Sequence, residues 1–265
     1  MTTIVDAHAH LLPDRLAAKI RRFFEERGAP RMPYPHAPLA AREALAAAGI
    51  ARCWNLPYAH RGGVASPLNR WMAQTWAGDP FVVAGATVHP DDDVAAVVTE
   101  AIERLRARVF KLHCSVGAFP PDDPRLDPLW ERVSTGGHPV VVHAGSAHEG
   151  TAAPVEVEAL GRVARRWPRA RIILAHFGSP AVATALALLR DNENLHADLC
   201  PVVAEPVRLP RSAIAGLERR ILFGSDVPSV AVTIEDSLAR VRIWNLDPAD
   251  EDAVLGGTAN RLLPG

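Results

Sequence analysis

The chain has 265 residues, 29 Lys plus Arg against 30 Asp plus Glu, and a formal charge of -1, a balance that gives no support to a nucleic-acid or anionic-membrane surface. With 48% hydrophobic and 22% charged residues it buries a core of ordinary size, which excludes intrinsic disorder. Cys53, Cys114 and Cys200 make no CxxC pair, and with neither a leader-like N-terminus nor a run of ~20 apolar residues the expected setting is the cytoplasm.

In chain order, short apolar runs alternate with segments of helical periodicity, the pattern of βα units around a parallel sheet. A first strand over Thr3–His8 is followed by a helix over Asp14–Arg27. The run Gly28–Pro38 (GAPRMPYPHAP) holds four prolines in eleven residues and reads as an excursion, either a lid or a plain surface connection. A second helix over Leu39–Ala48 leads into a strand over Ala51–Leu56. Further strands are predicted over Phe81–Val88, Arg108–His113, Pro139–His143, Arg171–His176, Asn194–Leu199 and Arg220–Gly224. Between the third and fourth, Val94, Val98, Ile102 and Leu105 recur at three- and four-residue steps and line one helix face. Thr151 with Pro154, and Ser179–Pro180, mark helix starts. Eight such units fit one closed barrel of ~250 residues, so the expected fold is a slightly distorted (β/α)8 TIM barrel forming a single domain.

Asp6-Ala7-His8-Ala9-His10 closes the first strand, and because alternate strand residues face one side, both imidazoles point the same way. An HxH pair alone is weak evidence for a metal, since buried, hydrogen-bonded histidines are common. Its company strengthens it. His143 ends Pro-Val-Val-Val-His, His176 ends Ile-Ile-Leu-Ala-His, and Asp226 follows Ile-Leu-Phe-Gly-Ser. Each is polar at the end of an apolar run, where the strands of a barrel converge on one axis. Imidazole and carboxylate suit zinc or a similar first-row ion, without choosing among zinc, manganese, iron and cobalt.

On these residues the chain resembles the amidohydrolase superfamily, within the group called amidohydrolase 2. The resemblance covers nearly the whole sequence. It takes in His8, His10, His143, His176 and Asp226, the segment Ala47-Ala48-Gly49-Ile50, and the closing Gly257-Thr258-Ala259-Asn260-Arg261-Leu262-Leu263. It implies one divalent ion, Zn2+ or alternatively Mn2+, held by His8, His10, His143 and Asp226 with a water in the open position, and His176 bonded to that water or to the substrate. A binuclear alternative stays open, because binuclear relatives carry a carboxylated, bridging lysine at the position of Lys111. The Lys-Leu-His sequence is more similar to mononuclear members, in which case Lys111 contacts a substrate carboxylate. The deoxyribonuclease-like branch has a glutamate there, a further argument against DNA.

Substrate-binding candidates on the same face are Lys111, Arg61, His113 and Tyr58, with His60, His89, His148 and Asp198 behind them. His36, His138 and His196 read as structural or exposed. The chain has no GxGxxG, P-loop or GxSxG motif, and His148-Glu149 fails as HExxH because position 152 is Ala152. The expected activity is hydrolysis of a small ester, lactone or amide, with Asp226 taking the proton of the water and His176 steadying the oxyanion. Two alternatives remain: non-oxidative decarboxylation of an unsaturated or aromatic carboxylic acid on the same site, and a barrel that only binds. The expected partner is a small molecule, with self-association left open.

Overall fold

The computed structural model describes residues 2–144, 153–200 and 209–265. Eight parallel strands lie in sequential order: β1 (Val5–Ala9), β2 (Arg52–Asn55), β3 (Val82–Thr87), β4 (Val109–His113), β5 (Pro139–His143), β6 (Arg171–Leu174), β7 (Leu195–Asp198) and β8 (Ile221–Leu222). The two ends of the sheet meet. Ala9 forms a parallel bridge with Val227, and the amides of Ala7, His10 and Asp226 donate to the carbonyls of Phe223, Val227 and His8 at 2.9, 2.8 and 2.7 Å. The sheet is thus closed into the expected (β/α)8 barrel.

Helices cover the barrel's outside, so the strands are buried on both faces and read as continuous apolar runs such as Val140-Val141-Val142. Alternation still sorts them. Val109 and Val141 belong to an inner cluster with Val5, Ala7, Trp54, Leu56, Val83, Ile173 and Leu222. Phe110, Leu112, Val140 and Val142 belong to an outer cluster with helix residues such as Leu129, Val133 and Leu160. Ala259, Leu262 and Leu263, at the C-terminal helix Thr258–Leu262, complete the inner cluster and stopper that end of the barrel. The next inward positions along β4 and β5 are therefore Lys111, His113 and His143, two and four residues beyond Val109 and two beyond Val141.

Local differences from the sequence reading have identifiable causes. Strand six ends at Leu174 rather than His176, because His176 and Phe177 take left-handed backbone angles, φ 55° and 50°, which no strand accommodates. The next helix starts at Val182, after a cis Ser179–Pro180 peptide, so Ser179 is not its cap. The helical face begun by Val94 is carried by Val94–Thr99 and a π-helical turn over Glu100–Arg104. Thr151 lies outside the described residues. Among the described residues no helix is long and apolar enough to cross a membrane.

The excursion lies between α1 (Asp14–Glu26) and α2 (Pro38–Ala47) and folds back onto the barrel. Arg21 of α1 donates to the carbonyls of Met32, at 3.5 Å, and Tyr34. The Tyr34 hydroxyl accepts from the amide of Ile234 at 2.8 Å, which ties the excursion to the segment that follows β8.

His196 on β7 is 8% exposed. Burial, helped by the charges of Arg220 and Arg261 and opposed by its bond to the Asn194 carbonyl, pushes its pKa from 6.5 down to about 4. Between those values the unfolded chain binds a proton that the folded chain refuses, so stability falls as pH drops through this window, by up to about 3 kcal/mol. Denaturant titrations at pH 7 and pH 4 should show His196→Asn losing less stability on acidification than the wild type; equal losses would contradict the assignment.

Candidate metal centre

The site begins with an irregularity in β1. The register pairs Asp6 with Cys53 and Ala9 with Asn55, so Ala7 and His8 together face Trp54 alone, a β-bulge. The His8 amide displaced from the ladder donates to Asp6 Oδ1 at 3.0 Å. The Ser225 amide donates to the same oxygen at 3.0 Å, and the Ser225 hydroxyl bonds Oδ2. Burial raises the Asp6 pKa to about 7, against the lowering effect of these bonds. Beside this carboxylate the chain passes very close to β1: a Cβ on Gly224 would sit 2.7 Å from Cys200 Sγ and 2.9 Å from His8 Cβ, so only glycine fits. Beyond β1, buried Asn55 accepts from the Leu11 amide and donates to its carbonyl, at 2.8 and 2.9 Å, which fixes the chain that leaves His10.

Two outer partners determine how the imidazoles present themselves. His8 Nδ1 donates to Asp198 Oδ2 at 2.8 Å, and His10 Nδ1 donates to the Leu56 carbonyl at 2.6 Å. A carbonyl only accepts, so the proton of His10 is on Nδ1 and its Nε2 lone pair faces inward. His8 Nε2 lies 3.2 Å from His10 Nε2, and Asp226 Oδ1 lies 3.1 Å from His10 Nε2 and 3.9 Å from His8 Nε2. Three electron-pair donors at these separations can share a cation. A tetrahedral ion with bonds of about 2.0–2.1 Å sets its ligand atoms roughly 3.3 Å apart, which falls within the observed spread. His8, His10 and Asp226 fit a divalent ion on this ground.

Lys111 Nζ donates to His8 Nε2 at 3.0 Å from a fully buried position, and burial pulls its pKa down against the raising effect of Asp198 and Asp226. Burial opposes ionisation of Asp226, but its surroundings of His10, His176 and His8 outweigh it and hold the carboxyl below the usual range. Asp198 is likewise held low against burial by His8, His176 and Lys111. Burial and the neighbouring Lys111 lower His8 to about 3 against Asp198, and burial drives His113 and His143 well down. His8, His113, His143 and His176 are thereby kept neutral.

Around these donors, six rings close a circuit. His8 touches His10 (centroids 5.0 Å), His10 touches Tyr58 (5.3 Å), and Tyr58 touches His113 (4.9 Å). His113 stacks on His143 (4.0 Å), His143 meets His176 (4.7 Å), and His176 returns to His8 (5.1 Å). The sequence candidates His8, His10, His143, His176, Asp226, Lys111, His113 and Tyr58 are thus brought together. His143 stands in the circuit beside His176 rather than among the three converging donors. Asp198 stands behind His8, on its Nδ1. Arg61 and His60 are exposed, and no described contact joins them to the circuit. His89 is buried against Phe119 and bonds the Gly117 carbonyl at 3.1 Å, a packing role. His148 lies outside the described residues.

Histidines and aspartates are thus gathered at the C-terminal ends of the strands of a closed barrel, the face on which barrel enzymes carry their active sites. The amidohydrolase family model (Amidohydro_2) matches residues 5–265, and the chain belongs to that family. It is therefore an enzyme of the amidohydrolase superfamily, of the hydrolase or decarboxylase kind. No curated protein matches the chain. Among solved structures it is similar to an uncharacterised TIM-barrel protein of Bordetella bronchiseptica, at TM-score 0.77 and 21% identity over 98% of both chains. It is similar to a 5-carboxyvanillate decarboxylase of Novosphingobium aromaticivorans, solved with manganese and 4-hydroxy-3-methoxy-5-nitrobenzoic acid, at TM-score 0.71 and 12% identity over 98% of this chain and 96% of that one. It is also similar to a zinc-bound amidohydrolase of Burkholderia multivorans, at TM-score 0.65 and 18% identity over 99% and 100% of the two chains.

Asp198 bonds His8 through one oxygen and, through the other, accepts the amides of His176 at 2.8 Å and Cys200 at 3.2 Å. Removing such an outer partner weakens metal binding by roughly 10–100-fold. Zinc titration against a competing chelator should show that loss in Asp198→Ala; unchanged affinity would mean that His8 needs no orienting partner.

Proposed function

We propose that the protein is a metal-dependent hydrolase of a small ester, lactone or amide, with one divalent ion at His8, His10 and Asp226 and His143 as the candidate fourth donor. The observation that supports it most is the convergence of three lone-pair donors whose tautomers are set from behind. When bound, such an ion supplies Lewis acidity, polarising a substrate carbonyl and making a water acidic enough to act as a nucleophile near neutral pH. Zinc is the first choice and manganese the second; the Burkholderia and Novosphingobium proteins are described with zinc and manganese respectively.

Asp226, held ionised by the imidazoles around it, accepts the proton of the attacking water and passes it to the leaving group. His176 is kept neutral by burial, and its Nδ1 is buried without a partner among the described residues. It is placed to hydrogen-bond the substrate or the developing oxyanion. His113 and Tyr58 line the approach, Tyr58 kept protonated by burial and the nearby Asp226. A fixed ammonium on Lys111, 3.0 Å from a ligand nitrogen, would oppose a cation there, so Lys111 works as a neutral amine or, in the binuclear alternative, as a carboxylate.

Decarboxylation is the second reading, favoured by the activity named for the Novosphingobium neighbour. That reaction protonates carbon and needs no attacking water, so it differs from hydrolysis in what Asp226 would carry: a proton delivered to the substrate rather than one taken from water.

A panel of lactones, aryl esters and amides should reveal turnover that Asp226→Asn lowers by about 10²–10⁴-fold. Release of carbon dioxide from aromatic acids, with no ester or lactone turnover, would reverse the ranking. Elemental analysis separates the two metal arrangements: about one ion per chain in both wild type and Lys111→Ala supports the single-ion site, whereas about two falling to one makes Lys111 a bridge.

A further inference from the structure

The proposed metal centre uses one ring nitrogen of His8. The other, behind the ring, belongs to a second set of metal-type donors: one ligand atom each from His8, Asp198 and Cys200 lies within 4.8 Å of the other two. All three residues are buried, at 0%, 0% and 1% exposure. Cys200 is a free thiol just beyond β7, and its amide donates to Asp198 Oδ1 at 3.2 Å. A Cβ on Gly224 would lie 2.7 Å from the Cys200 sulfur and 2.9 Å from His8 Cβ. The bare glycine is thus what lets the sulfur and the histidine share this space.

Imidazole, carboxylate and thiolate in one dry cluster form a donor set of the zinc type, and the sulfur tilts its preference towards softer ions. Neither Cys53 nor Cys114 falls in such a group among the described residues. A proton now holds the cation's place, shared by His8 Nδ1 and Asp198 Oδ2 across 2.8 Å. An ion with bonds of about 2.0–2.1 Å to nitrogen and oxygen sets those atoms roughly 3.3 Å apart, with sulfur about 2.3 Å from the metal. The pair therefore has to open by about half an ångström while the sulfur closes in.

We propose that His8 Nδ1, Asp198 and Cys200 form a second site, for a thiophilic divalent cation of the cadmium kind, and that an ion there excludes the ion of the proposed metal centre. The protons impose the exclusion. A neutral imidazole has one lone pair. Ligation through Nε2 leaves the proton on Nδ1, bonded to Asp198; ligation through Nδ1 moves it to Nε2, which then points an N–H at the first ion's place. Cys200 gives its own proton to solvent as the sulfur–metal bond forms, so one proton is released per ion bound. Only the exclusion rests on the proposed metal centre; the second site stands on its own donors.

Cadmium added to the metal-free protein tests both parts at equilibrium, because a cadmium–thiolate bond has an ultraviolet charge-transfer band and cadmium on His8, His10 and Asp226 has none. The wild type should develop that band, saturating at about one ion per chain. Cys200→Ser should lose the band yet bind zinc as tightly as the wild type, whereas Cys53→Ser and Cys114→Ser should each keep it. Zinc added to the cadmium-loaded wild type should bleach the band and release cadmium. No band in the wild type, or a band that survives in Cys200→Ser, would overturn the site. A band that persists with one zinc bound per chain would overturn the exclusion, as would zinc binding weakened about tenfold or more in Cys200→Ser, since zinc would then be using the sulfur itself. If the band forms and zinc binds nowhere, the proposed metal centre fails and the second site stands; zinc binding with no cadmium band gives the converse.

Discussion

The Asp226 amide donates to the His8 carbonyl at 2.7 Å and the His10 amide to the Val227 carbonyl at 2.8 Å, and these bonds join the last strand to the first. They close the barrel, and in closing it they place Asp226 against the two histidines that precede it in the chain by more than two hundred residues. The site is therefore a product of closure rather than an addition to a finished scaffold. Asp6 reinforces the seam: one buried carboxylate satisfies the His8 amide of the bulge and both the amide and the hydroxyl of Ser225. Buried backbone donors need such partners, and here the partner that satisfies them also holds the two strands in register.

The same economy governs the charges. Asp198 takes a hydrogen bond from His8 with one oxygen and the amides of His176 and Cys200 with the other. It thereby links β1, the turn after β6 and the end of its own strand. Asp198 and Asp226 supply negative potential around buried Lys111, and burial removes protons from the imidazoles between them. The result is a pocket of neutral nitrogens with two ionised carboxylates, an environment suited to a divalent cation and poorly suited to standing open without one.

Much of the barrel was legible because short apolar runs alternating with helical periodicity, and polarity at the ends of those runs, survive in a single sequence. β5 coincides with its predicted span, and β4 differs by one residue. Histidines that end apolar runs were read as facing one mouth, and the structure does gather them there. What was not legible depends on contacts between distant segments. Asp6 stands in plain view two residues before His8, yet its task exists only because β1 bulges and Ser225 arrives from the far end of the chain. Arg21 looks like one more solvated arginine on an amphipathic helix, and only the return of the excursion encloses it. Arg61, by contrast, has a suggestive glycine-rich setting but stays exposed, since glycines near an arginine say nothing about where the loop goes.

Backbone conformation shows why the local sequence at the site reads worst where the chemistry is densest. His176, Phe177 and Asp226 have φ of 55°, 50° and 60°, a region in which side chains other than glycine cost of order 1 kcal/mol or more each. Glycine would relieve the cost and remove the imidazole or the carboxylate. Each strained segment is instead held by bonds to the site itself: the His176 amide to Asp198, the Asp226 amide to His8, and the Asp226 carbonyl to the Ser229 amide at 2.8 Å. The groups that orient the proposed ligands are thus the groups that keep the strained backbone in place. A change at Asp198 or in the seam between β1 and β8 would relax both together, which is why stability and metal affinity in this barrel are expected to move as one quantity rather than as two.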